Sequence, residues 1–212
     1  MTVDPRAGRP RASSRETLAE AACELFLERG YEATSIADIS TRAGVSRSSF
    51  FNYFSSKGDI FWGAFDERVD AAIAALGATQ GAPTREILLA IADDFAPDSL
   101  ALAVANATVM GLEDELERER ALRQARLARA IADRSRREGV PRLRAEVVGA
   151  AGAGAVLAAV WEWAHAGAGR AHLASLVAEA LEAAPLGAPG AVRQGRVVVQ
   201  APDSLLPEPG PA

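Results

Sequence analysis

Three boxes of the form Ser-x-x-Asp/Glu, at Ser13–Glu16, Ser35–Asp38 and Ser56–Asp59, open helices in quick succession. In such a box the serine hydroxyl accepts from a free backbone N–H, and the acid sits in the positive first turn. Between the second and third boxes there is room only for two short helices. The apolar spacing predicts one over Ile36 to Arg42 and another from Ser46 over Arg47 to Phe54, joined by Ala43-Gly44-Val45. Gly44 falls where the chain must reverse, so a positive φ is expected there. Ile36, Ile39, Val45, Phe50 and Phe54 form the apolar side of the pair. This is helix-turn-helix grammar.

The rest of the chain is helical in period from residue 13 to residue 184. The first helix runs to Arg29 and stops at Gly30, with Leu18, Ala22, Leu25 and Phe26 on one face. A longer one from Lys57 to Leu76 carries Trp62, Phe65, Val69 and Ile73. Further helices are expected over 83–95, 97–110, 112–138, 141–165 and 170–184. Nine helices without a convincing strand pair make an all-α fold. It divides into a three-helix helix-turn-helix domain over 13–57 and a helical ligand-binding and dimerisation domain over 58–184. Residues 1–12, with Arg6, Arg9 and Arg11, read as a flexible basic arm. Residues 185–212 hold six prolines and read as a flexible tail, in which Arg196–Gln200 could be a strand but finds no partner.

Composition narrows the chemistry. One Cys and two His cannot build an internal disulfide or a zinc site, so no metal or cofactor is expected. No Ser-His-Asp set, carboxylate pair or phosphate loop stands out, so no catalytic residues are expected. No leader pattern is evident, and the longest uncharged apolar run, Val147 to Trp161, is shorter than the roughly 20 residues a bilayer span needs. A soluble, cytoplasmic protein with no membrane partner is expected. The net charge of -5 on its face speaks against nucleic acid, yet it is unevenly spread. Residues 1–57 hold eight basic and seven acidic side chains, against fifteen and twenty-one in residues 58–212.

The outer face of the third helix carries Arg47, Ser48, Ser49, Phe51, Asn52 and Tyr53. Arg47 offers a fork for guanine and Asn52 an amide for adenine. Small serines at its start, Ser46 among them, let the helix end approach phosphates closely.

Residues 13–65 resemble the TetR family of bacterial transcriptional repressors. The resemblance rests on Leu25-Phe26-Leu27-Glu28-Arg29-Gly30-Tyr31, Thr34-Ser35-Ile36-Ala37-Asp38-Ile39, Ala43-Gly44-Val45-Ser46 and Phe50-Phe51-Asn52-Tyr53-Phe54-Ser55-Ser56-Lys57. It implies phosphate contacts from Thr34, the Tyr53 hydroxyl and the Lys57 ammonium, and it places Ser35 in the same DNA-facing set. Base reading falls to Arg47, Ser48 and their outward neighbours. The family usually has Tyr where this chain has Phe51, and often Gly-Thr in place of Ser48-Ser49. Together with Lys57-Gly-Asp-Ile-Phe-Trp-Gly-Ala-Phe-Asp66, this version is similar to an actinobacterial branch associated with mycofactocin biosynthesis.

The resemblance further implies a homodimer through helices 141–166 and 170–184, on double-stranded, near-palindromic operator DNA. It also implies release by a hydrophobic or amphipathic small-molecule effector, acyl-type ligands fitting the narrower branch. Trp62, Phe65, Phe95, Met110, Trp161 and His165 are the candidate effector-binding residues, although aromatics at helical spacing are also ordinary core. Two other readings stay open. Gly149, Gly152 and Gly154 follow apolar residues as in a dinucleotide-dependent enzyme, but in G-x-x-G-x-G order. The chain could also be a small-molecule binder with a vestigial helix-turn-helix.

Overall fold

The computed structural model describes residues 14–78, 81–96, 98–167, 170–184 and 186. The 1–12 arm, Ser13 and all of the 185–212 tail except Leu186 lie outside the described residues. The first helices are α1 (Ser14–Arg29), α2 (Ile36–Arg42) and α3 (Arg47–Phe51). Then come α4 (Asp59–Gly77), α5 (Thr84–Ala90), α6 (Ser99–Ala105) and α7 (Ala107–Met110). Two long helices, α8 (Glu113–Arg137) and α9 (Arg142–His165), precede α10 (Leu173–Ala183). Among the described residues there are ten helices and no strand, so the fold is all-α.

α1, α2 and α3 form a head around Leu18, Phe26, Ile39, Phe50 and Phe54, all buried. Gly44 closes the α2–α3 turn with φ 68°, and the Val45 N–H returns to the Ser40 carbonyl at 3.0 Å. α4 leaves the head and crosses α8, while α6 and α10 pack on α9. The acidic first turn and basic last turn of α8 match the helix dipole at both ends.

Several element bounds differ from expectation, each for a local reason. α3 stops at Phe51, three residues early, because the Asn52 and Tyr53 N–H groups turn back to the Ser49 and Phe50 carbonyls. α5 ends at Ala90, after which Ile91 to Phe95 form turns and Asp94 takes φ 50°. The helix expected over 97–110 is broken at Asn106, whose backbone leaves the helical region at φ -118°, ψ 20°. Its side-chain amide donates to the Leu102 carbonyl at 2.9 Å, a local bond that competes with the helix ladder. This break raises the nine expected helices to ten. α10 begins at Leu173 rather than residue 170.

The glycines whose spacing invites comparison with a dinucleotide loop lie inside α9. A Cβ on Gly149 would stand 2.3 Å from the Ala128 carbonyl oxygen, so this glycine lets α9 settle directly on the backbone of α8. Gly152 faces Ile131 and Leu88 in the same interior. These two glycines therefore serve packing within one chain, and only Gly154 turns outward toward Gln124. A dinucleotide site needs a strand-loop-helix, whereas these glycines lie within one helix, so the dinucleotide reading of them is not favoured. By length and composition α9 could cross a membrane, but half of its most apolar window is buried inside this fold.

Candidate nucleic-acid interface

The head's outer surface is assembled by α3 and the turn behind it. Ser46 caps α3: its hydroxyl accepts from the Ser49 N–H at 3.1 Å and lies 2.8 and 2.9 Å from the Ser48 and Ser49 hydroxyls. Beneath, Phe50 packs against Phe54 with ring centroids 5.4 Å apart, and both are buried. Above that pedestal Phe51 is 50% and Tyr53 45% exposed, and Arg47, Ser48 and Asn52 are exposed beside them. The Arg47 guanidinium lies 5.8 Å from the centre of the Phe51 ring.

Charge pairing leaves two cations of this head without an acid among the described residues, Lys57, which turns inward, and Arg47, which stays outside. Arg42 grips Glu28 at 2.8 Å and Glu24 at 3.2 Å, Arg29 pairs with Asp38 at 3.4 Å, and Arg15 reaches Glu67 of α4 at 2.6 Å. Among the described residues Arg47 has no acid within ion-pair reach. A full positive charge beside exposed hydroxyls, an amide and two rings is what phosphates and base edges require.

Ser35 is the N-cap of α2 and completes its box. Its hydroxyl accepts from the Asp38 N–H at 3.1 Å and its own N–H donates to Asp38 Oδ2 at 2.9 Å. The Ser35 hydroxyl and N–H, with Arg29 beside them, hold the Asp38 carboxyl below the usual carboxylate range. The third box is offset by one residue. Ser56 accepts from the Asp59 N–H at 3.2 Å, while the Asp59 carboxylate takes the N–H and hydroxyl of Ser55 instead. Burial works against that carboxylate, but the Ser55 bonds outweigh it and keep its pKa low.

Thr34, a phosphate contact by the resemblance, is buried here, and its hydroxyl donates inward to the Gly30 carbonyl at 2.8 Å. It holds the α1–α2 turn. Lys57 is also drawn inward: Nζ donates to the Tyr31 and Thr34 carbonyls, each at 2.9 Å, and sits 4.1 Å from the Tyr31 ring centre. Two of its three N–H groups are thus committed to the head, leaving one for an outside acceptor.

The joint that sequence reasoning missed is Tyr31. Its N–H donates to the Met110 carbonyl at 2.7 Å and its hydroxyl to Glu115 at 3.2 Å, tying the head to the end of α7 and the start of α8. Burial first, and then the Glu115 charge, push its phenol well above the ordinary value. Its only local signal is its place directly after the helix-ending Gly30.

The candidate effector residues divide. Trp62 and Phe65 are sealed in an aromatic stack, with Trp62 against Trp161 at 5.8 Å and Phe65 against Phe95 at 6.4 Å. Met110 is buried at the head–body joint. Trp161 and His165 share the wall of an open cleft of about 510 Å³ between α6, α7, the start of α8 and the end of α9. Phe95 lines a different one, beside Trp163 and His172. A half-buried ion pair lies behind the stack: the buried Arg123 holds Asp66 through two bonds of 2.8 and 2.7 Å, with its guanidinium 4.2 Å from the centre of the Trp62 ring.

Residues 18–62 match the family described as bacterial regulatory proteins, tetR family. A regulator of Mycobacterium tuberculosis named for mycofactocin biosynthesis, MftR, is 37% identical over 65 residues, 31% of this chain and 33% of that protein. The transcriptional repressor ComR of Escherichia coli is 32% identical over 89 residues, 42% of each chain. Among solved structures, the dihydroxyacetone kinase operon activator DhaS aligns over 81% of this chain and 93% of its own at 16% identity, with TM-score 0.49. The matched segments thus span less than half the length of these curated relatives.

Proposed function

From the match of residues 18–62 to the tetR family of bacterial regulatory proteins, we propose that this chain belongs to that family and is a dimeric, ligand-responsive transcriptional repressor acting in the cytoplasm. One observation carries the reading: α3 presents an acid-free Arg47 with Ser48, Phe51, Asn52 and Tyr53 on a buried Phe50–Phe54 base. A short helix raised in this way enters a major groove. Two copies on a dimer read half-sites about 34–36 Å apart on a near-palindromic operator. Phe51 lacks a phenolic hydroxyl and meets a thymine methyl instead.

The exposed stripe of α9 supports the dimer. Leu143 is 80% and Val147 54% exposed, and the same face continues through Ala150, Gly154 and Ala158. An apolar line of small residues favours a second helix at close range, and α10 lies beside it to complete a four-helix contact. The effector is an amphipathic small molecule in the cleft walled by Val104, Leu116, Trp161 and His165. Thr108 and Val109 of that cleft directly precede Met110, whose carbonyl holds the head through Tyr31. A ligand that prefers the DNA-free state releases the operator, and operator DNA weakens the ligand by the same factor.

The test is binding of the whole protein to duplex DNA from upstream of its own coding region, read by footprinting across a salt series. A protected near-palindrome, lost with Arg47→Ala, supports the reading. Absence of a footprint even at low salt removes it and leaves the small-molecule binder with a vestigial helix-turn-helix.

A further inference from the structure

Head and body do not close fully on each other. Between α1, α4 and α6 lies an open cavity of about 720 Å³, with Phe54, Ile60, Ala64 and Leu102 as its apolar lining and Asp98 among its polar groups. Asp98 Oδ1 caps α6, accepting from the Leu100 and Ala101 N–H groups at 3.0 and 3.2 Å. Its Oδ2 is shut off from solvent and has no hydrogen-bond partner among the described residues. A buried carboxylate oxygen left alone is costly and uncommon.

The neighbouring cations have other partners of their own. Arg15, in the lining with its guanidinium 5.9 Å from the centre of the Phe54 ring, is paired with Glu67, and Arg68, whose charge still favours the Asp98 carboxylate, donates to the carbonyls of Ile91, Asp93 and Asp94. Burial raises the Asp98 carboxyl above its ordinary value. The Cys23 thiol in the same lining is pushed up to about 11 by burial and the Asp98 charge, so it stays a neutral wall. Glu20 at the rim adds negative charge.

We propose that this seam binds a small organic cation, a primary ammonium on an apolar body, with Asp98 as its counter-ion and Phe54, Ile60 and Leu102 around the body. The site is separate from the α6–α9 cleft and does not depend on the regulator reading. Because water does not reach Oδ2, an ammonium pairs with it only as α1 and α6 part. Occupancy therefore tilts the head on the body. If the head reads DNA, the same cation weakens operator binding, and this consequence alone rests on that reading.

The probe is phenethylamine, titrated into the full chain at neutral pH by calorimetry, with phenethyl alcohol as the uncharged match. Saturable binding is expected for the amine and at least about tenfold weaker binding for the alcohol, the loss of one charge-assisted hydrogen bond. Asp98→Asn keeps the α6 cap, since Asn caps as well as Asp, and should lose the amine to the same degree while its melt holds. Ala64→Phe fills the cavity and should block the amine with Asp98 intact. No saturable heat with the amine overturns the proposal, as does equal affinity in Asp98→Asn or for the alcohol. Asp98-dependent amine binding in a chain that protects no DNA keeps the site and removes only the operator linkage.

Discussion

In the head, Phe51 and Tyr53 stand about half exposed beside each other; in the body, Trp62, Phe65 and Trp163 are sealed. Both regions are helices around aromatic cores, yet they place their remaining aromatics in opposite ways. The head turns two rings outward beside an arginine with no acid to pair it, within one unbroken stretch of chain. The body gathers rings from α4, the α5–α6 loop and α9, and stacks them on a half-buried ion pair. A surface that recognises something large and polar can be written locally. An interior that makes room for something small is written by parts distant in sequence.

The hardest test of that contrast is Arg123→Ala. Removing the guanidinium strands Asp66 and unroofs Trp62, which should cost about 3 kcal/mol, the low end for a broken buried pair because Asp66 keeps some access to water. A melt unchanged from wild type would show that the body is not organised around this charge. Gly149→Ala comes next. The added methyl meets the Ala128 carbonyl and should destabilise by about 1–3 kcal/mol despite the better helix propensity, read by urea unfolding. Gly154→Ala, whose methyl meets only the Gln124 side chain at an ordinary contact distance of 3.6 Å, should leave the chain's own stability level or slightly higher.

The head should respond in binding rather than in stability. Arg47→Ala should weaken operator binding by about 1–3 kcal/mol and relax sequence preference, with no change in melting temperature. A fall in stability would mean that Arg47 belongs to the head's core and not to its reading face.

The smallest effect lies at the seam. Since the folded pKa of Asp98 is raised, the folded state holds more protons than the unfolded one. Its contribution is therefore fully present below the ordinary aspartate range and is lost as pH rises through the raised value. Melting temperature followed against pH should show this decline in wild type and a flatter profile in Asp98→Asn.

The same contrast between local and distant partners decides how much of the molecule is legible in its sequence. The bounds of α2, its capping box and the positive φ of Gly44 depend on neighbours within a few residues, and all three follow from the sequence. Helical spacing carries α3 on to Phe54 because Phe54 is buried, although the chain reaches that place by a turn. The resemblance implies a phosphate contact for Thr34, while in this fold its hydroxyl is turned to the Gly30 carbonyl. In the body, apolar spacing locates the helices yet cannot tell a packed ring from a pocket wall. Five of the six candidate effector residues are in the stack or at the joint, and of the six only Trp161, from the stack, and His165 share the α6–α9 cleft. Nothing local separates Gly149, where a methyl would meet a backbone twenty-one residues away, from Gly154, where it would meet only the Gln124 side chain.

The partition of aromatics also divides the molecule by colour. Both tyrosines, Tyr31 and Tyr53, lie in the head, and all three tryptophans, Trp62, Trp161 and Trp163, lie in α4 and α9 of the body. Ultraviolet excitation of tyrosine followed by emission from tryptophan must therefore carry energy across the seam. The native protein holds its own donor in one part and its own acceptors in the other, so a tilt of the head can be followed as a change in sensitised emission without attaching any dye.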